Sequence, residues 1–159
     1  MMLLLAQCCA TGFLALWLTT GVWENLRHPQ LNSSFTAEVL SMSRMREAYP
    51  QDYARVAHRR IEAPAIQTLL FRLIVGWECL ALLALWIGTG AMVAALTGAA
   101  PPDTARALAL LGALLFTSTW AGFLIAGNWF CYWFCHEGAQ NTHFQMTLWG
   151  TATMVLLAI

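Results

Sequence analysis

The stretch Ile66 to Gly88, IQTLLFRLIVGWECLALLALWIG, decides how the rest of the chain is read. It is an apolar run with one carboxylate, Glu78, near its middle and one cation, Arg72, toward one end. About 20 mostly apolar residues are enough to cross a hydrocarbon core of ~30 Å, and this run clears that length. It therefore reads as a membrane-crossing helix with an ionisable side chain inside it.

Composition agrees. The 159 residues are 59% hydrophobic and only 10% charged, and the mean hydropathy is +0.60, whereas ordinary soluble domains carry about 25% charged residues. The formal net charge is zero, so no long-range field draws in nucleic acid. Of the five cysteines, Cys8, Cys9 and Cys79 lie inside apolar runs and are expected to pack as small hydrophobes; an odd count in such positions argues against a disulfide framework.

Working outward, the first span is expected over residues 2–22, stopped by Trp23, Glu24, Asn25 and Arg27. It lacks a basic leader and a small-residue cleavage site, so it reads as a retained span. Residues 24–63 hold six of the eight arginines and five of the eight acids. They form the extramembrane segment, with two short helices, one capped by Ser33 or Ser34 and ended by Pro50, the other around Tyr53, Val56 and Ala57. Pro64 suits the first turn of the span at 66–88. Gly88, Gly90, Gly98 and Pro101-Pro102 then mark a turn, and a third span covers 104–127. An aromatic belt from Asn128 to Gly138 and a polar turn, Gln140 to Thr142, precede a short fourth span at 143–159. The expected architecture is all-α: one domain, 1–159, forming a four-transmembrane-helix bundle with a helical first loop. Counting arginines would make the face bearing residues 24–63 cytoplasmic.

The pattern Phe35, Val39-Leu40-Ser41-Met42, Arg60-Ile61, Pro64, Gly76-Trp77-Glu78 and Gly127-Asn128-Trp129-Phe130 resembles an uncharacterised bacterial family of predicted small integral membrane proteins, a domain of unknown function. The resemblance covers nearly the whole chain. It implies a four-span inner-membrane protein with its termini in the cytoplasm, opposite to the arginine count, and it supplies no activity.

Glu78 is the sharpest site. Twelve residues inward from the arginine-rich face, at 1.5 Å each, put it roughly 18 Å deep, near the midplane. The same count reaches Thr11, Thr117, Ser118, Thr119 and Thr151 on the other spans, so these hydroxyls are the expected partners of a carboxyl facing the bundle interior. Two roles compete: interhelical hydrogen bonding, or a proton relay or ligand contact. Cys131, Cys135, His136 and His143 form a second cluster of soft and imidazole ligands, with the two cysteines four apart on one helical face. Their spacing matches no standard zinc pattern and all four sit in the aromatic belt, so no metal is expected; mid-span axial histidines for a haem are lacking.

No substrate cavity is evident among the Trp- and Phe-rich spans. The leading expectation is a non-catalytic accessory subunit of a larger bacterial inner-membrane complex, such as a respiratory or photosynthetic assembly, touching the lipid bilayer, other integral membrane subunits and, where a small molecule intervenes, a lipid or quinone. The alternative is a small proton- or solute-conducting module organised around Glu78.

Overall fold

A computed structural model describes residues Met1–Ile159. Every regular element is helical: α1 (Met2–Arg27), α2 (Pro29–Ser41), α3 (Ser43–Ala48), α4 (Pro50–Val56), a 3₁₀ turn at Ala57–Arg59, α5 (Pro64–Leu96), α6 (Pro102–Trp129), a second 3₁₀ turn at Tyr132–Phe134, and α7 (Glu137–Leu157). Prolines open α2, α4, α5 and α6, where a missing N–H costs nothing. Ser33 and Ser34 are not caps: α2 already starts at Pro29, so both lie within it.

Three helices, α1, α5 and α6, are long and apolar enough to cross a membrane. At 21 residues α7 has the length, about 31 Å at 1.5 Å per residue. Its N-terminal half carries Glu137, Gln140, Asn141, Thr142, His143, Gln145 and Thr147, and this polar load separates it from the other three. The polar turn expected at Gln140–Thr142 is instead helix, as is Gly138.

The second long helix is much longer than a span needs. Its 33 residues reach about 50 Å, because Gly88 and Gly90 do not end it; the chain turns only at Gly98, whose φ of +78° suits a residue without Cβ. Gly88 has another purpose. A Cβ there would stand 2.6 Å from Ala109 Cα, and one on Gly112 would stand 2.8 Å from Leu85 Cα, so the two glycines let the backbones of α5 and α6 touch. Buried Ala81, Leu85, Met92, Ala105, Ala109 and Ala113 complete that seam. On the far side of α6, Gly150 of α7 packs on Thr117 and Phe116.

Helix α1 runs antiparallel to α5. Gly12 faces Thr89, the Trp86 indole donates to Thr19 Oγ1 at 3.1 Å, and Asn25 meets Glu78. Beyond the break at His28, α2 follows the N-terminal part of α5 as far as Leu40, whose carbonyl accepts from the Ile61 N–H at 2.8 Å. The terminal face is tied by Gln7, fully buried, which donates to Leu156 O at 2.8 Å and accepts from Arg106 Nε at 3.1 Å. The opposite face is closed by the short helices, with Met42 and Met45 packed on Cys131 and Arg59 stacked 4.7 Å over Trp129.

Candidate functional site

Glu78 is 5% exposed, and its Oε2 accepts a 2.7 Å hydrogen bond from Asn25 Nδ2. Asn25 in turn accepts a 2.7 Å bond from Asn32 Nδ2 at the start of α2. The relay Asn32–Asn25–Glu78 thus joins three helices at the point where α1 gives way to α2. The other carboxyl oxygen of Glu78 has no protein partner.

This arrangement corrects two expectations. Asn25 lies in the last turn of α1 beside Glu24 and Arg27, so Glu78 is level with the charged end of α1 and not with its middle. From Glu78 to Leu96 the helix rises about 27 Å, close to a whole hydrocarbon core, which again puts Glu78 toward one edge. The hydroxyls counted to its depth do not reach it. Thr11 donates to Gln7 O, Thr117 to Ala113 O, Ser118 and Thr119 to Leu115 O, and Thr151 to Thr147 O. Each satisfies itself on the preceding turn of its own helix, the usual fate of a mid-helix Ser or Thr.

A cavity of about 780 Å³ opens beside Glu78, where none was expected from the aromatic content; α1, α2, α5 and α6 enclose it, and Tyr132 and His143 close one end. Bulky side chains make its walls instead of filling it. Trp120 packs edge-to-face on Trp17 and on Phe123, and His143 and Tyr132 continue the aromatic wall, with the Tyr132 and His143 rings stacked 6.1 Å apart. Three polar atoms on this wall are buried without partners: Trp120 Nε1, Tyr132 Oη and His143 Nδ1. All three atoms are closed off from the cavity space, so they stand within the packing of the aromatic wall and not at its surface. Burial also pushes the Tyr132 hydroxyl above its ordinary pKa, keeping it a neutral donor and acceptor.

The structure separates the four cysteine and histidine candidates. Cys131 takes a left-handed backbone with φ of +53° and the next residues form a 3₁₀ turn, so Cys131 and Cys135 do not share an α-helical face. Cys131 packs with Met42 and Met45, and His136 sits against Phe35 with its Nδ1 3.7 Å from Glu38, whose carboxylate is paired with Arg44 at 2.7 Å. Only His143 joins the cavity. No three His, Cys, Asp or Glu side chains come together as a metal-holding group.

Asn25 and Asn32 were legible in the sequence only as the polar end of a span and as part of an Asn-Ser-Ser string. Their signal is the pairing of an amide at the end of one apolar run with the single acid of the next, which emerges once the unequal helix lengths are known.

Apolar helices that pack antiparallel around a buried polar relay, with leucine, isoleucine and tryptophan left facing outward, define a multi-pass, all-helical integral membrane protein. The chain belongs to the family described as predicted small integral membrane protein (DUF2165), which it matches over residues 3–159. No curated protein and no solved structure matches it.

Proposed function

We propose that this protein is a non-catalytic, four-span module of the bacterial inner membrane that holds a small solute in the cavity at Glu78. The observation that carries the reading is a cavity of small-molecule size with Glu78 in its wall, one carboxyl oxygen held by Asn25 and the other without a protein partner. A cavity of this size falls in the range of small-molecule sites, mostly apolar with a few convergent polar groups. The fourth span is α7, seated on α6 at Gly150 and joined to the start of α1 through Gln7 and Leu156, with its polar half turned to the cap end. Conduction of the solute, or of a proton through Glu78, is the extension of this role.

A second reading, the accessory subunit of a larger complex, has its own observation. Ile66, Leu69 and Leu73 on α5 are 47%, 56% and 60% exposed, and they stand beyond the level at which α1 ends. That apolar stripe needs lipid or a neighbouring subunit to cover it.

Native mass spectrometry after mild solubilisation separates the two. A small-molecule adduct that is lost when Ile74→Trp occludes the space beside Glu78 supports the solute role. A stoichiometric companion polypeptide with no small-molecule adduct supports the accessory role and contradicts the first.

A further inference from the structure

We propose that the solute bound at Glu78 is a lipophilic organic cation, a quaternary or protonated amine with apolar substituents. The inference rests on the reading that the cavity holds a solute, and the composition of its walls specifies the class.

Two carboxylates line the cavity, Glu78 deep and Glu24 at the rim, and no arginine does; the chain has no lysine at all. The remaining titratable wall groups are Tyr132 and His143. Around the carboxylates stand aromatic rings from three directions: Trp17 and Trp23 of α1, Trp120 and Phe123 of α6, and Phe130 and Tyr132 after it. Ring faces attract cations through their quadrupoles, most strongly where water is excluded, and an aromatic cage with an acid is the arrangement that recognises substituted ammonium groups. An anion would face two acids with no counter-charge. A neutral ligand without donors would leave the second oxygen of Glu78 buried and unpaired, a penalty a cation removes. The rim supports access: Trp23 is 67% exposed beside Glu24, at the membrane–water boundary where amphipathic cations gather.

Three probes of similar bulk and different charge test the class on the full chain in mild detergent: tetraphenylphosphonium, tetraphenylborate and neutral triphenylphosphine oxide, followed by titration calorimetry. The expected result is saturable binding of tetraphenylphosphonium, one per chain, no saturable binding of tetraphenylborate, and affinity for the cation reduced about tenfold or more in Glu78→Gln, which keeps the shape and can still accept from Asn25. If Glu78→Gln does not fold, Phe123→Leu, which removes a ring face, is expected to weaken the cation several-fold and to leave triphenylphosphine oxide unaffected. Equal binding of the three probes, or full affinity in the variants, overturns the cation inference and leaves the solute cavity standing. Binding of none of them overturns both.

Discussion

Adding one methyl group to Gly88 or Gly112 tests the packing that positions the site. The new Cβ would lie 2.6 Å from Ala109 Cα and 2.9 Å from Ala109 N in the first case, and 2.8 Å from Leu85 Cα in the second. Carbon atoms in good contact stand about 3.5–4.0 Å apart, so α5 and α6 must separate by roughly 1 Å along a seam where Leu85, Ala109 and Ala113 are fully buried. Overpacking of this kind costs about 1–3 kcal/mol, while Gly→Ala returns up to about 1 kcal/mol in helix propensity. The propensity gain cancels against controls: Gly76 and Gly122 are also helical, yet a Cβ on either meets nothing within 4 Å. Gly88→Ala and Gly112→Ala should therefore fall below Gly76→Ala and Gly122→Ala by the clash alone. At about 2–4 °C per kcal/mol for a chain of this size, tryptophan-fluorescence melts in detergent resolve the difference. Four variants with one common melting temperature would refute the close approach of α5 and α6.

Two further outcomes follow from the polar groups. Asn25→Ala strips Glu78 Oε2 and Asn32 Nδ2 of their partners and should destabilise by about 1–3 kcal/mol in the same melts; Asn25→Asp, which sets a second carboxylate against Glu78, should be at least as unstable at neutral pH and recover on acidification, and a stable Asn25→Ala would contradict the relay. His136, outside the spans, has its pKa lowered by burial, with Arg44 acting in the same direction and Glu38 against it. The unfolded chain thus binds a proton that the folded chain resists, so stability from neutral His136 is full above about pH 6.5 and drains away as pH falls below it. His136→Gln should flatten the melting profile across that interval, and an unaltered slope would show that the imidazole is not held neutral.

Much of the fold was legible because a bilayer demands long apolar helices, and residues 66–88 and 104–127 satisfy that demand on composition alone. The ends were harder. Glycine marks turns in most chains, but between packed membrane helices it can mark contact, as Gly88 does; Gly88 and Gly90 read as a boundary in the sequence, and α5 passes straight through both. The same extra length moved the partner of Glu78 from the hydroxyls at its counted depth to Asn25 at the end of α1. Depth along a helix does not say where a hydroxyl points, and Thr11, Thr117 and Thr151 have carbonyls of their own within reach. The left-handed turn at Cys131 had no warning, since a cysteine there carries none of the usual glycine or asparagine signal. Large aromatics read as a filled interior; only the folded chain shows Trp17, Trp120, Phe123 and Tyr132 lining a cavity.

The most direct test of the cavity is chemical. Dicyclohexylcarbodiimide, an apolar reagent for protonated carboxyl groups, reacts only with an acid it can reach; labelling over a series of falling pH separates access from ionisation, and peptide mass spectrometry locates the adduct. Labelling of Glu78 in the folded protein, suppressed when Ile74→Trp fills the space beside it, is the predicted result. A Glu78 that stays unmodified at every pH of the series until the protein is denatured would contradict the open site on which the proposed role depends.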